Sequence, residues 1–523
     1  MTVVPNALRL RAMRSAQDER NWWATTVIAA VIGAVSAFAF APVGLWPLMP
    51  LALAGLCELV WRAKGLRQSL AIGWGFGFGQ FVIALNWIAT AFTFQDAMPV
   101  WLGWVAVVLV ALYLAVYPAL ATGLAWRFKD KAPVALVLTL AGAWPITEWL
   151  RGTMFTGFPW NPLGVTLVDT HLLNAATVIG TYGLTILVAF AGGMLWLAAR
   201  RQWRIAGILL AVLIAMHFMP WPRALAAQAR NIRIVQPNIG QEDKWRPGFA
   251  EQATAKLNQL TAAPGAPPRL VFWPEAAVVE PLEIERIDSP RRAMVALEQS
   301  RAVAALGPND SLVTGGLALV TDGTSRIVGA TNSAFVLDRS GASRQRYDKA
   351  HLVPYGEYLP IRPVLTAIGL SKLTPGNIDF AAGPGPRTLD LPGFGRMGVQ
   401  ICYEIIFSGE VVDRRYRPDF IFNPSNDAWF GRWGPAQHLA QARLRAAEEG
   451  IPIIRSTPTG ISAVIDAHGH IVASLPWRTA GAIDATLPPP APPTLFARLG
   501  NLIPLLLGFA LLIGGIAMSR TRR

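Results

Sequence analysis

The sequence predicts a bundle of eight transmembrane α-helices, seven before and one after an extracytoplasmic α/β domain in which helices cover a sheet. Three observations predict it. The 523-residue chain is 53% hydrophobic and only 15% charged. That charge is uneven: about one residue in five across 223–490 and about one in ten elsewhere, against roughly 25% in an ordinary soluble protein. The apolar runs of the first 220 residues are too long and too frequent for the core of one water-soluble fold, and short basic clusters punctuate them.

Spanning helices are read at 22–42, 44–61, 69–92, 100–126, 132–150, 172–198, 205–221 and 498–518, near the ~17–25 residues that cross ~30 Å of hydrocarbon. The basic clusters are Arg9, Arg11, Arg14 and Arg20; Arg62, Lys64 and Arg67; Arg127, Lys129 and Lys131; Arg200, Arg201 and Arg204; and Arg520, Arg522 and Arg523. They occupy every second connection, so the positive-inside rule puts them in the cytoplasm. Seven crossings then place residues 223–490 outside. The formal charge of +14 divides into +7 for 1–222, +3 for 223–490 and +4 for 491–523. The excess therefore reports topology and implies no nucleic-acid partner. The three segments are the expected domains: seven membrane helices, an outer catalytic domain, and a linker with the eighth helix and a cytoplasmic tail.

The basic start and Ala37-Phe38-Ala39 also fit a cleaved signal peptide, but the long apolar run and the immediate return of the chain favour an anchor. Trp22, Trp23, Trp101 and Trp104 lie near helix ends, where indoles favour the interface. Glu148 and Arg151, three residues apart, are expected to pair on one helix face or to anchor the loop Phe155–Pro162, in preference to a transport site, since the chain shows no internal repeat. Glu58, Asp169, His171 and His217 are the other ionisable groups at these helices. Gly73, Gly75, Gly77 and Gly79 read as small-residue helix packing.

From Asn231 the pattern changes to short β-rich runs: Ile232–Gln236, Leu270–Trp273, Ser311–Leu319, Asn332–Asp338, Gly398–Cys402, Asp419–Asn423, Pro452–Ser456 and Ala463–Asp466. Helical stretches at Gly248–Leu260, Arg291–Leu306 and Ala436–Glu449 alternate with them, which indicates a layered sheet. Asp466-Ala467-His468-Gly469-His470 reads as a hairpin turn, so no metal or other cofactor is expected. Ile361–Phe380, apolar and between candidate site residues, reads either as a lid dipping toward the lipid or as a core helix.

The chain has two cysteines. Cys57 falls in a membrane helix, where packing explains it. Cys402 is alone in the outer domain, and an unpaired thiol there is either buried and inert or a nucleophile. It ends the run Met397–Ile401 and precedes the helical pattern Tyr403–Phe407. A helix N-terminus at that turn is expected to lower the thiol pKa and to aim the Tyr403 N–H at an oxyanion. A thiol nucleophile also needs a base and a stabiliser of charge. Glu275 follows the apolar run Leu270–Trp273 through Pro274, an environment expected to raise its pKa. Lys349 lies in Arg346–Leu352, and Glu357 follows eight residues later in Pro354–Pro360.

Glu, Lys and Cys in that order, with Trp273-Pro274-Glu275, Tyr347-Asp348-Lys349, Ile401-Cys402-Tyr403-Glu404 and Pro424–Phe430, resemble the nitrilase, or carbon–nitrogen hydrolase, superfamily. With the flanking helices and Val235–Ile239, the chain resembles the apolipoprotein N-acyltransferase family. The resemblance implies an αββα sandwich with Glu275 as general base, Lys349 as oxyanion stabiliser and Cys402 as nucleophile. It also implies Glu357 as the group orienting the lysine, with Trp245, Tyr403 and Glu404 near the site. Acyl transfer would run from a phospholipid, phosphatidylethanolamine in most of the family, through a thioester to the α-amino group of a diacylated apolipoprotein in the bacterial inner membrane. Two rival readings are a membrane-tethered amidase, in which water takes the acyl group, and a transporter or scaffold with an inactive domain.

Overall fold

The computed structural model describes residues 22–95, 98–129, 132–226, 229–243, 248–263, 267–285, 291–322, 326–367, 369–373 and 379–520. Among these, five helices are long and apolar enough to cross a membrane: Trp22–Ala39, Leu102–Arg127, Pro133–Thr153, His171–Ala199 and Leu502–Arg520. Leu66–Ala84 and Ile88–Phe94 form a bent pair, turned by 47°, that would make a sixth. The runs at 44–61 and 205–221 fold as Leu48–Arg62 and Trp203–His217, each of 15 residues. At 1.5 Å per residue each is about 22 Å long, shorter than ~30 Å of hydrocarbon.

Small residues let these helices approach closely, as their spacing predicts. Gly75 and Gly79 lie against the backbone of Thr26 and Ala30, while Gly73 and Gly77 lie against Pro118 and its neighbours. A Cβ at Gly75 would stand 2.6 Å from the Thr26 carbonyl. Glu58 is held by Trp196 Nε1 and Arg200, both at 2.8 Å, and by Arg62.

Glu148 and Arg151 are both buried and act as the anchor of the following loop. The Glu148 carboxylate accepts from Leu163 N at 2.8 Å and Thr185 Oγ1 at 2.6 Å. Arg151 Nη1 donates to the carbonyls of Phe158 and Trp160, each at 2.8 Å. Their separate partners satisfy carbonyl and amide groups that an irregular segment would otherwise bury bare.

The α/β part is two stacked sheets. Its strands are β1 (Asn231–Gln236), β2 (Arg269–Phe272), β3 (Glu283–Ile284), β4 (Ser311–Thr321), β5 (Ile327–Leu337), β6 (Ser343–Asp348), β7 (Thr388–Leu391), β8 (Gly395–Val399), β9 (Phe420–Pro424), β10 (Ile453–Ser456), β11 (Ala463–Ile465), β12 (Ile471–Ser474) and β13 (Gly481–Thr486). One sheet has the order β13-β1-β2-β4-β5-β6 with β3 beside β4, and the other β12-β11-β10-β9-β8-β7. Strands β1, β2 and β4 are parallel, as are β8, β9 and β10.

Period-two alternation explains the layers. Ile232, Ile234, Leu270 and Phe272 face the second sheet, and the Phe272 ring lies 4.8 Å from that of Phe422. Val235, Val271, Leu312 and Phe335 face outward into a separate core with Leu257 of the helix Phe249–Thr261. The helix Gly434–Glu449 covers the second sheet, its Ala442 and Ala446 buried with Ile453 and Ile454.

That helix also fastens the α/β part to the membrane helices. Its Ala440, Leu444 and Ala447 share a core with Ile179, Leu184 and Leu187. At Gly180 the helix from Ala176 to Ala199 breaks, with φ +61° and ψ −173°, a region open essentially to glycine alone. The break frees the Thr181 N–H, which donates to Glu448 Oε1 at 2.6 Å. The hairpin expected at Asp466–His470 joins β11 to β12, with Asp466 Oδ1 accepting from His468 N and His470 N at 2.9 and 2.8 Å. Asp466, His468 and His470 also bring ligand-type atoms within 4.8 Å of one another. Of Ile361–Phe380, Arg362–Ala367 is a short helix with no buried side chain, flanked by exposed Ile361. It is not a core helix.

Gly180→Ala is expected to destabilise the detergent-solubilised protein by about 1–3 kcal/mol, because a Cβ there also meets the Phe496 ring at 2.2 Å. Thermal unfolding compared with Gly207→Ala, where a Cβ meets nothing within 4 Å, checks it.

Candidate active site

Strand direction gathers the candidate residues. Strands β2, β4 and β6 run the same way, because β5 is antiparallel to both β4 and β6. Glu275 therefore leaves β2 at the same edge where Lys349 leaves β6. In the facing sheet Cys402 follows β8 and Asn426 follows the parallel β9. The two edges meet where Asn426 N donates to Glu275 Oε2 at 2.6 Å.

The turn carrying Glu275 passes directly over Gly315 of β4. A Cβ at Gly315 would lie 2.7 Å from Glu275 Cα and from the Pro274 carbonyl. The backbone bond Gly315 N to Pro274 O, at 3.2 Å, holds the turn there. A side chain at that position would push the carboxylate out of the site.

Lys349 is 1% exposed and Glu275 and Glu357 each 6%. Lys349 Nζ donates to Glu357 Oε1 at 3.0 Å and lies 3.5 Å from Glu275 Oε1. Burial pulls the ammonium pKa down, but the Glu357 and Glu275 carboxylates outweigh it and hold the lysine above its ordinary value. The lysine is therefore a fixed cation. Glu357 Oε2 takes the Val353 N–H at 2.9 Å, which fixes the carboxylate to its own loop.

Cys402 sits at the strand-to-helix turn expected for it, with two differences. Strand β8 ends at Val399, so the run expected to extend to Cys402 stops three residues earlier. Cys402 instead opens a single 3-10 turn, Cys402–Ile406, with φ +53°, a left-handed conformation rare for a cysteine. The expected lowering of its thiol pKa is also reversed. Burial pushes the thiol well above its ordinary value, Glu275 adds to this, and Lys349 opposes it. A five-residue turn supplies too little aligned dipole to offset desolvation.

Glu404 is a clamp. Its Oε1 accepts from Tyr347 Oη at 2.9 Å, Ala350 N at 2.7 Å and His351 N at 3.1 Å, and its Oε2 accepts from Ile401 N at 2.6 Å. It thus ties both ends of the Lys349 segment to the cysteine turn. Burial raises its carboxyl to about 7 against those donors. Tyr403 points to the membrane part, where its hydroxyl donates to the Gly157 carbonyl at 3.0 Å. Trp245 lies outside the described residues.

The N-terminal helices over residues 32–194 match the profile described as the apolipoprotein N-acyltransferase N-terminal domain, and residues 231–491 match the carbon-nitrogen hydrolase profile. Apolipoprotein N-acyltransferases of Rhodopseudomonas palustris and Bradyrhizobium diazoefficiens are each 35% identical to the chain, over 92% of it and 92% of their own length. That of Caulobacter vibrioides is 35% identical over 96% of the chain and 95% of its own. The chain belongs to the apolipoprotein N-acyltransferase family.

One group at this site had no sequence signal. Asn332, a buried polar residue on β5, donates from Nδ2 to both Glu275 Oε1 and Glu357 Oε1 at 2.8 Å. A single asparagine in the apolar run of β5 reads as an ordinary strand residue. Only the pairing of β5 with β6, which sets Asn332 beside Lys349, reveals its position between the carboxylates.

Asn332→Ala is expected to lower kcat about 10–100-fold, since one buried charged-group hydrogen bond is worth about 1.5–3 kcal/mol, with the protein still folded by circular dichroism. The raised thiol pKa predicts that iodoacetamide alkylation of the resting enzyme climbs with pH and reaches no plateau below pH 9. A plateau near pH 7 would show a preformed thiolate instead.

Proposed function

We propose that Cys402 takes the acyl chain of a phospholipid as a thioester and passes it to the α-amino group of the diacylglyceryl-cysteine that begins an apolipoprotein. Acyl transfer to lipoproteins is the activity of the family to which the chain belongs. The observation carrying the assignment to these residues is the contact between the cysteine turn and the membrane loop. Tyr403 Oη donates to Gly157 O, and His351 Nε2 lies 2.9 Å from Thr156 O. A thiol used on a small soluble amide has no need of that placement, whereas one used on two lipid-anchored substrates does.

Glu275 acts as the general base and Lys349, with the Tyr403 N–H, receives the oxyanion. Because the resting thiol is protonated, its proton must move to Glu275 as sulfur attacks the ester carbonyl. The site's charge is unchanged by that shift: a carboxylate becomes neutral as a thiolate forms, both beside the same ammonium. The tetrahedral intermediate collapses by breaking the ester C–O bond, and the lysophospholipid oxygen leaves with the proton from Glu275. In the second half the amine loses a proton to Glu275 and attacks the thioester. The C–S bond breaks and the thiol regains its proton.

Glu357 orients Lys349, and Tyr403, Glu404 and Trp245 support the site. Phosphatidylethanolamine is the donor. Residues 1–222 and 491–523 supply eight crossings of the bacterial inner membrane, with Leu48–Arg62 and Trp203–His217 completing the count, and residues 223–490 work on its periplasmic side. The basic clusters of alternate connections support that orientation. The exposed Ile361 and Val364 support a lid over the lipid path, where water exclusion protects the thioester.

Purified protein incubated with acyl-labelled phosphatidylethanolamine is expected to form an alkali-labile acyl-enzyme, lost in Cys402→Ser. Adding a diacylated lipopeptide should then convert the label to amide. Release of free fatty acid at the same rate with or without acceptor would overturn the transferase reading in favour of a hydrolase.

A further inference from the structure

Behind the cysteine turn lies a fully buried polar group outside the Glu-Lys-Cys set. His438, on the helix Gly434–Glu449, is 0% exposed, as are Asp427 and Arg455. Its Nε2 lies 3.0 Å from the carbonyl oxygen of Cys402. A carbonyl can only accept, so Nε2 carries a proton and donates. Its Nδ1 lies 2.9 Å from Asp427 Oδ1 and 3.1 Å from Arg455 Nη2. Arg455 Nη2 in turn donates to Asp427 Oδ2 at 2.6 Å, and Nη1 to Ser425 Oγ at 3.0 Å. The imidazole is held at both nitrogens, and the Nε2–H bond to Cys402 persists whether Nδ1 is protonated or not.

The ring is packed by one aromatic side chain from the membrane part, Trp160, and one from the α/β part, Phe430. The Trp160 ring centroid is 5.4 Å from that of His438, and Phe430 closes the other approach at 5.6 Å. Trp160 Nε1 donates to Gln437 Oε1 at 2.8 Å, and Gln437 Nε2 to the Ala84 carbonyl at 3.1 Å. Trp87, beside the bend after Ala84, packs on Trp160 with centroids 4.5 Å apart. A continuous line of contact therefore runs from the bent membrane helix through Trp160 and His438 to the main chain of Cys402.

We propose that His438 is a positioning residue for the nucleophile: its Nε2–H pins the carbonyl of Cys402, holds the left-handed backbone that aims the thiol, and couples that aim to the membrane helices through Trp160. The need for such a pin follows from the local geometry. Cys402 at φ +53° is in a conformation that side-chain-bearing residues adopt at a cost. The 3-10 turn it opens is one of the weaker helical forms. Left without the imidazole, the peptide after Cys402 is free to rotate its carbonyl, and the N–H of Tyr403, the other half of that peptide, turns away from the oxyanion position with it. The same hydrogen bond thus sets two catalytic parts at once.

This role rests on Cys402 being the nucleophile, and the test separates the two. A glutamine amide nitrogen falls where Nε2 stands, and an asparagine amide nitrogen falls where Nδ1 stands. His438→Gln is therefore expected to keep the rate of acyl-enzyme formation at saturating phospholipid within about fivefold of the parent. His438→Asn is expected to lose about 10–100-fold, a range set by small misplacements of reacting groups, with phospholipid KM changed less than twofold. Matched thermal unfolding of the two variants excludes general destabilisation as the cause. Equal rates for Gln and Asn, whether both fast or both slow, would overturn the positioning role. Acyl-enzyme formation surviving in Cys402→Ala would instead overturn the nucleophile assignment, whatever the His438 variants do.

Discussion

The α/β part of the molecule is arranged around one buried cation. Lys349 Nζ stands between Glu357 at 3.0 Å and Glu275 at 3.5 Å, with all three side chains withdrawn from water. Removing one partner of a buried ion pair costs about 3–5 kcal/mol, because the charge left behind has no solvent. Two carboxylates without the lysine would carry like charge within a few ångströms, and the neutral donors of Asn332, Asn426 and Val353 bring no positive charge to offset it. The fold must therefore bring the ends of β2 and β6, with the loop that follows β6, together or leave charge stranded. The arrangement that satisfies the electrostatics is also the one that sets two carboxylates and a cation close to the Cys402 thiol.

A second constraint is the join between the membrane helices and the sandwich, which is built from polar groups as well as apolar ones. The break at Gly180 exposes an amide that Glu448 accepts, and the irregular loop after Thr153 exposes carbonyls that Arg151 takes. Both devices use a charged side chain to satisfy backbone groups that no regular helix would leave free. They fix the loop bearing Gly157 and Trp160 against Tyr403 and His438. The membrane part thereby forms one wall of the site and cannot be regarded as a detached anchor.

Much of this was legible because the chemistry demands rare residues in a fixed order. A lone cysteine between an apolar run and a helical pattern, a glutamate closing another apolar run, and a lysine followed by a glutamate mark the site without any contact being known. Five strands, β3, β6, β7, β12 and β13, fall outside the runs the pattern marks, and two of them share a property. Strand β6 is Ser-Arg-Gln-Arg-Tyr-Asp, polar along an edge, and β12 is largely exposed, so neither carries the alternation that identifies a half-buried strand. Asn332 and His438 were invisible for a different reason. Each gains its meaning from a partner more than 20 residues away in the chain, and the residue types are ordinary where they stand. The thiol departs from expectation because Cys402 opens a single 3-10 turn rather than a helix, and burial outweighs the dipole of five residues.

The protonated resting thiol has a consequence for how the two half-reactions are ordered. Under the proposed roles, a free thiolate would react with any electrophile that reached it, whereas a thiol activated only by proton transfer to Glu275 would react when a substrate carbonyl is already seated against Lys349. The thioester formed afterwards has no such safeguard of its own, since water is as able as an amine to attack it. Protection at that stage has to be steric, and the loop bearing Gly157, held against Tyr403, is a part able to supply it. Proton location guards the first half-reaction and shape guards the second, and both depend on the membrane helices holding their wall of the site in place.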